Sequence, residues 1–433
     1  MKACIYTLGC RVNQYESDAI MQELKRYGAE ICSPADSCDI CIINTCSVTA
    51  ESDRKSKQII RRLVNKNPHA VVIVTGCFSQ INPESAMKID GVSLVCGNND
   101  KSIIAKKAIE LFKEKSSFCQ LIMSDINSGN FDVMSVGAPL TRTRAFIKIQ
   151  DGCNSKCAYC IIPYARGKVR SNSPKNILAE ARNIVNEGCY EIVFTGIETA
   201  SYGKETNNRH TLADLLIEAN KIEGLKRIRL GSLDPSAITE EFVDKIKNLD
   251  KIMPHFHISM QSGCTKTLNE MRRKYNIEMA KKSIELLREA FPNVMLSADV
   301  ITGFPNESDE DFLKTLEFFN EQKFLHLHIF PYSKRAGTPA STMKNQIPDE
   351  TKKERLHKLD IQQAEIKHSL LNSFVKENHV TEVLFESYDG EYILGHTPNF
   401  IEVKAKSPKA RSGEFINVRP ICTDGQIVFG EFI

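Results

Sequence analysis

Along the first part of the chain, short apolar runs alternate with longer amphipathic segments. KACIYTL, DICIINT and AVVIVTG read as buried strands, and residues 13–27 and 50–66 between them carry the spacing of helices. That alternation predicts an α/β unit over residues 1–125, a Rossmann-like open parallel sheet with helices on its faces. In the second helix Ile59, Ile60, Leu63 and Val64 share one stripe, which leaves the Arg and Lys side chains on the outer face. Periodicity then stops. Residues 124–143 gather Ser, Asn, Asp and Gly, and a linker is expected over 126–141. From AFIKIQ onward, further strands are predicted at EIVFTG, KRIRLGS, HFHISMQ, VMLSADVITG and KFLHLHIFPY, each separated by room for a helix. Six βα units over residues 142–368 predict a partial TIM-like (β/α)6 barrel. After a charged helical stretch at 349–372, the tail over 369–433 switches to short alternating strands with the turn dipeptides Asp389-Gly390 and Asp424-Gly425, the pattern of a small β-barrel.

Composition narrows the class. With 433 residues, 42% of them hydrophobic and 26% charged, the chain can fill more than one core. No apolar run approaches the roughly 18 to 20 residues of a membrane span. The start MKACIYTLGC enters a strand without the regions of a signal peptide, so a cytoplasmic protein with no membrane partner is expected. Fifteen cysteines are many for a reducing compartment, and some must bind metal or lie buried. The net charge of +3 neither demands nor excludes nucleic acid. Its distribution is more telling. Residues 54–67 hold Arg54, Lys55, Lys57, Arg61, Arg62 and Lys66 with no acid, and residues 141–170 hold seven basic residues against Asp151 alone. Two basic surfaces are expected, with a solvated helix face as the plainer reading of the first.

The cysteines carry the chemistry. Cys153, Cys157 and Cys160 follow the strand AFIKIQ through the turn Asp151-Gly152, at the carboxyl end where barrel active sites are built. Three thiolates in CxxxCxxC spacing can hold three corners of a four-iron four-sulfur cluster and leave one iron open. S-adenosylmethionine (SAM) bound at that iron can be cleaved to a 5′-deoxyadenosyl radical. Zinc, which usually takes four protein ligands, finds no fourth Cys or His nearby. Cys10, Cys46 and Cys77 each end a strand of the first unit and would converge at one crevice of a parallel sheet, either as a second ligand trio or as ordinary buried thiols. The other nine, at 4, 32, 38, 41, 96, 119, 189, 264 and 422, show no ligand pattern. Cys4 and Cys41 are read as core, with Cys38 and Cys41 as a metal pair the lesser alternative.

Around the first trio, Tyr159 offers a ring to the cluster or the adenine, or simply packs. Thr195 and Gly196 end a strand where backbone groups could meet the methionyl amine of SAM. Ser232 and Asp234 end the next strand, and Gln261, Ser262 and Gly263 the one after. Asp299, Ile301 and Gly303 form a strand and glycine turn where backbone could approach the adenine. Arg273 is a candidate partner for a carboxylate or phosphate, with a solvated arginine as the commoner outcome.

Taken together, LGCRVNQYES, NTCSVT, VTGC, IQDGCNSKCAYCIIPYARG, TGI, LGSLDP, HISMQSGC, MRRKY, DVITGFPNE and YSKRAGTPAS resemble the radical SAM methylthiotransferases, in that family's order and over nearly the whole chain. The resemblance implies two four-iron four-sulfur clusters, one on Cys10, Cys46 and Cys77 and the other on Cys153, Cys157 and Cys160, with SAM as co-substrate. It also implies that the tail, with GHTPNF inside it, is a TRAM domain, an OB-like barrel that grips RNA. TLGCRVNQYES is most similar to the branch acting on threonylcarbamoyladenosine at position 37 of tRNA. Other branches act on isopentenyladenosine in tRNA or on an aspartate of ribosomal protein S12. The implied partners are a tRNA anticodon stem-loop, a flavodoxin or ferredoxin-like electron donor and an unspecified sulfur donor. Against an RNA-gripping tail, residues from 370 onward count six Lys and Arg to nine Asp and Glu, with Lys404, Lys406, Lys409 and Arg411 as their basic cluster.

Overall fold

The computed structural model describes residues 1–114, 118–128, 130–138, 143–206, 210–406 and 412–433. In the first unit, β1 (Lys2–Thr7), β2 (Glu30–Ile31), β3 (Ile40–Thr45), β4 (Val71–Gly76), β5 (Leu94–Cys96) and β6 (Gln120–Ile122) form one parallel sheet in the order β2-β1-β3-β4-β5-β6. All six residues of β3 are buried, as a strand covered on both faces requires. β2, β5 and β6 are two or three residues long, too short for an alternation to show, and the sequence reading missed them. Helices α1 (Arg11–Arg26), α2 (Ala50–Lys66), α3 (Cys77–Ile81), α4 (Pro83–Met87) and α5 (Ile104–Glu114) cover the sheet. α1 buries Val12, Tyr15, Ala19, Ile20 and Leu24, a single stripe. α2 begins where the Thr49 side chain accepts from the Ser52 amide, and it buries Ile60 and Leu63 while Arg54, Lys55, Arg61, Arg62 and Lys66 face solvent.

The middle of the chain holds six parallel strands, β7 (Arg144–Lys148), β10 (Glu191–Thr195), β11 (Arg227–Leu230), β12 (His255–Gln261), β13 (Met295–Thr302) and β14 (His326–Pro331); the short β8 (Gln150–Asp151) and β9 (Arg170–Ser171) form a separate ladder. They run as β7-β10-β11 and β12-β13-β14, joined by bridges at Ile228–Ile252 and Leu233–Ile258. This is the expected incomplete barrel. Its helices are α6 (Ile162–Arg166), α7 (Pro174–Asn186), α8 (Leu212–Asn220), α9 (Glu240–Ile246), α10 (Thr265–Glu270), α11 (Ile277–Ala290) and α12 (Asp309–Gln322). One apolar core runs from Ile5, Tyr15 and Ile20 through Ile147, Ile192, Ile258 and Val300, so the first sheet and the barrel pack as a continuous body. The stretch expected to be a linker is pinned between them. Tyr15 donates to the Met134 carbonyl at 2.7 Å, and the Val136 amide donates to Glu180 at 2.7 Å.

α13 (Asp349–Glu377) leads without a break into the tail, where β15 (Thr381–Tyr388), β16 (Tyr392–His396), β17 (Glu402–Lys406), β18 (Phe415–Thr423) and β19 (Val428–Phe432) close a barrel in the order β15-β16-β17-β19-β18. This small barrel caps the amino end of the large one. Arg227 donates to the carbonyls of His396 (3.0 Å) and Glu382 (2.7 Å), and Arg229 to those of Thr397 (2.9 Å) and Pro398 (2.8 Å). The Phe400 ring stacks on His255 and His396. GHTPNF is therefore spent on docking to the large barrel.

Candidate active site

Local structure brings each cysteine trio together. Cys10 caps α1 after β1, Cys46 follows β3, and Cys77 opens α3 directly after β4. In a sheet ordered 2-1-3-4-5 the carboxyl ends of β1 and β3 bound the crevice where ligands bind. The neighbourhood is tight: a Cβ on Gly9 would lie 3.1 Å from the Cys46 sulfur, and Cys46 interacts electrostatically with both Cys77 and Cys10. The Cys153 loop is shaped by Gly152, whose φ of +74° excludes most side chains and whose missing Cβ would stand 1.9 Å from the Lys168 carbonyl. The Cys153 amide donates to Gly167 at 2.9 Å and the Ala158 amide to Met271 at 2.9 Å, which sets the loop on the barrel mouth. The two trios face each other. α3 packs on α6, Cys160 and Cys77 interact electrostatically, and Asn98 reaches across to the Ala165 carbonyl at 2.7 Å.

A strap at residues 332–341 ties the sites from the other side. Ala340 donates to the carbonyl of Ala158, between Cys157 and Cys160, at 2.8 Å. Arg335 bonds Ser47, beside Cys46, at 2.8 Å and Asp53 at 2.8 Å, and Ser333 accepts from the Ala50 amide at 3.0 Å.

Beneath both trios lies a buried charge network. Glu16 of α1 meets Lys101, Lys148 and Arg166, and Asp151 meets Lys148 and Arg166, each at 3.2 Å. Arg170 joins Asp151 at 4.0 Å and Asp132 acts on Lys148, while Arg166 and Lys101 bring positive charge to Cys77 and Arg166 to Cys10 as well. Burial pushes Glu16 toward protonation, but Arg166, Lys101 and Lys148 outweigh it and hold the carboxyl well below the usual range. These residues overturn one expectation. Of the seven basic residues at 141–170, Arg144, Lys148, Arg166 and Arg170 point inward, because carboxylates distant in sequence, Glu191 among them, need neutralising; Lys156 and Lys168 are exposed, and Arg142 lies outside the described residues.

The other candidate residues divide. Arg273 is partly buried and paired rather than solvated: it donates to the Cys157 sulfur at 3.2 Å and to Asp234 at 2.6 Å. Tyr159 packs edge-on to Phe304, in a cluster with Met271, Tyr332 and Ile301. Thr195 is buried at the end of β10, and Gly196 leaves room for Gln150, whose Oε1 would sit 2.8 Å from a Cβ there. Ser232 is half-buried just past β11. Gln261 ends β12 with a left-handed φ of 61°. Asp299 faces His257 at 3.1 Å. A Cβ at Gly303 would meet Lys352 of α13 at 2.4 Å, so the glycine admits the long helix. Sequence reasoning missed Glu198, whose carboxylate accepts from the Cys153 thiol at 3.1 Å and from Ser155 at 3.3 Å; its place three residues after Thr195, past the end of β10, was the available signal. A cavity of about 280 Å³ lined by Asn154, Glu198, Asp234 and Lys274 opens beside it.

Comparison with known proteins decides the family. The radical SAM superfamily matches residues 147–319, and an uncharacterized protein family, UPF0004, matches residues 2–97. The threonylcarbamoyladenosine tRNA methylthiotransferase MtaB of Bacillus subtilis (strain 168) is 37% identical over 99% of this chain and 95% of its own length. The chain belongs to the radical SAM methylthiotransferase family. A second relative with the first one's description, from Aquifex aeolicus, is 37% identical over 94% of the chain and 98% of its own length, and a tRNA-2-methylthio-N(6)-dimethylallyladenosine synthase of Clostridium botulinum is 32% identical over 99% and 96%. The solved radical SAM methyltransferase TsrM of Kitasatospora setae shares the fold at a TM-score of 0.56 and 13% identity, covering 78% of this chain and 74% of its own. As a methylthiotransferase the protein is an enzyme of the transferase class, and SAM and four-iron four-sulfur chemistry belong to it.

The residues suit such a cofactor. A cubane held by thiolates is anionic, and the guanidiniums of Arg166, near Cys10 and Cys77, and of Arg273, at Cys157, complement that sign. The Nε atoms of Arg166 and Arg273 are buried without a partner. Burial pushes the Cys46 thiol up to about 11 and the Cys160 thiol up to about 12, and burial with Glu198 raises Cys153 further. Free thiolates are disfavoured there, whereas thiols on a bound metal core are deprotonated outright. Among the described residues no helix is long and apolar enough to cross a membrane.

Proposed function

We propose that this methylthiotransferase converts N6-threonylcarbamoyladenosine at position 37 of tRNA into its 2-methylthio derivative. The full-length likeness to enzymes described as acting on that nucleoside carries the reading, and the two facing cysteine trios support it. C2 of adenine bears an unactivated C–H bond beyond the reach of acid–base chemistry, and SAM with its cluster supplies a one-electron route when bound. In this reading Cys153, Cys157 and Cys160 hold the cluster that works with SAM, and Cys10, Cys46 and Cys77 hold a second one that carries the sulfur. Glu198 offers a carboxylate to the ammonium group of SAM beside Cys153, and Arg273 balances the negative charge at Cys157. Tyr159, Thr195, Gly196, Ser232, Gln261, Asp299 and Ile301 shape the walls of the SAM site.

The anticodon loop is unpaired, so its base can be turned into the gap without opening a duplex. The exposed basic face of α2, which begins four residues after Cys46, is the surface that meets the phosphates. In the tail, Lys404 and Lys406 are paired with Asp389 and Glu391, while Lys409 and Arg411 lie outside the described residues. A flavodoxin or ferredoxin-like protein supplies electrons, in the cytoplasm where tRNA is modified. The likeness to the dimethylallyladenosine enzymes favours isopentenyladenosine tRNA as the second reading. Nucleoside mass spectrometry of tRNA from a deletion strain tests both. Loss of 2-methylthio-threonylcarbamoyladenosine, restored by this gene, is expected; loss of the 2-methylthio-isopentenyl nucleoside alone transfers the assignment, and intact tRNA nucleosides defeat it.

A further inference from the structure

A third group of thiols lies away from both trios. Cys4 sits within β1, Cys41 is its register partner on β3, and Cys38 belongs to the loop that enters β3. The Cys4 sulfur is 3.4 Å from that of Cys38 and 3.6 Å from that of Cys41, and all three lie within 4.8 Å of one another. All are free thiols. A fourth, Cys32, follows β2. Its amide donates to the Ala3 carbonyl at 3.0 Å and its thiol points to the same oxygen at 3.6 Å. Cys32 packs against the same apolar cluster as the other three and interacts electrostatically with Cys4 and Cys38.

The spacing is diagnostic. Sulfurs at ~2.3 Å from one tetrahedral zinc stand about 3.8 Å from each other. A thiolate trio on a four-iron cluster binds three different irons and stands wider. Among the described residues, Cys4, Cys38 and Cys41 are the group whose ligand atoms all lie within 4.8 Å of one another, whereas both trios stand wider; Cys32 lies outside that radius, its thiol turned to the Ala3 carbonyl, and has to turn in to complete the shell. Cys4 precedes Cys10 by six residues and Cys41 precedes Cys46 by five, so at ~3.3 Å per strand residue the group lies on the order of 15 to 20 Å from the crevice. Four cysteines with no open position are the donor set of a structural site rather than a catalytic one.

We propose that Cys4, Cys32, Cys38 and Cys41 bind one zinc ion that fastens the loop of residues 32–39 to β1 and β3 of the first sheet. This revises the reading of Cys4 and Cys41 as plain core and extends the pair Cys38 and Cys41 to four ligands. At its ends the loop is held by backbone bonds of Cys32 to Ala3 and of Asp39 to Lys2 and Val71, and between them by the Cys38 amide to Asn67 at 3.1 Å and Lys66 to the Ala35 carbonyl. Each ligating thiol gives its proton to solvent as the cation is captured, so zinc binding and folding of this edge are linked.

The test uses the full chain, purified without oxygen and with its iron loaded, with zinc counted by mass spectrometry and its surroundings read by zinc-edge X-ray absorption. About one zinc per chain with a shell of four sulfurs near ~2.3 Å is expected. Cys38→Ser should lower zinc at least fivefold at unchanged iron, and Cys422→Ser, in the exposed tail, should leave it alone. Where Cys38→Ser does not fold, Cys32→Ser at the half-buried edge should exchange one sulfur of the shell for oxygen or nitrogen. The proposal is overturned by zinc-free wild-type protein, by equal zinc and an unchanged shell in wild type and the ligand variants, or by a disulfide at Cys38 in the native chain.

Discussion

The guanidinium of Arg273 lies 3.2 Å from the sulfur of Cys157 and grips Asp234 with its other nitrogen. One side chain thus joins the cysteine loop to the end of β11. Charge-assisted bonds of this kind fix orientation as well as sign. Arg273→Gln keeps a donor and removes the charge. Its rate of 5′-deoxyadenosine formation from SAM should fall at least tenfold, equivalent to about 1.4 kcal/mol of barrier, at unchanged iron content. An unaltered rate would show that the contact is only packing.

The two trios should fail differently. Cys157→Ala should abolish SAM cleavage. Cys46→Ala, in folded protein, should still release 5′-deoxyadenosine but yield no methylthiolated tRNA. Equal loss of both activities in Cys46→Ala would refute the assignment of separate tasks.

Gly152→Ala places a methyl group against backbone that cannot move aside, since the Lys168 carbonyl occupies the space. The left-handed conformation adds about 1 to 2 kcal/mol for any residue with a Cβ. Iron per chain should drop by about four while the other cysteine trio keeps its share. Full iron loading would mean the loop tolerates the change.

Glu191 is buried among Arg229, Arg144 and Arg227. Burial pushes its pKa up, but the arginines prevail and hold it at about 2. The folded value is below the unfolded one, so the stabilisation is present above pH ~4.5 and disappears as pH falls toward ~2; the shift corresponds to about 3 kcal/mol. Glu191→Gln leaves Arg229 without a carboxylate, while Arg144 and Arg227 keep Glu386 and Glu382, and should cost about 3 kcal/mol at pH 7. Denaturant melts from pH 7 to 2 should show wild type and variant converging as acid rises. Parallel curves would remove Glu191 as the cause.

Arg61 and Lys55 on the open face of α2 are clear of the cysteines. Replacing both with Glu should weaken tRNA binding at least tenfold and flatten its salt dependence, with SAM cleavage in the absence of tRNA unchanged. Unchanged affinity would return this face to solvent.

What the sequence revealed follows from the range of the interactions involved. Cys10, Cys46 and Cys77 were readable because each ends a strand, and a parallel sheet brings strand ends together whatever the intervening length. The barrel strands were readable from local runs. Lys148 and Arg166 misled because their partner Glu16 is more than a hundred residues away, and a cation neutralised inside looks, in sequence, like one on the surface. The packing need for Gly303 was not readable for the same reason: the Lys352 side chain that takes its space belongs to another part of the chain. Cys4, Cys32, Cys38 and Cys41 have no motif spacing, and only the pairing of β1 with β3 brings Cys4 to Cys41.

The strap at residues 332–341 is hydrogen-bonded at one end beside Cys46 and at the other between Cys157 and Cys160. Both trios are thus tied to one and the same stretch of chain. In the proposed reaction one short segment therefore bears on both sites, so that lengthening or shortening it would disturb the two at once.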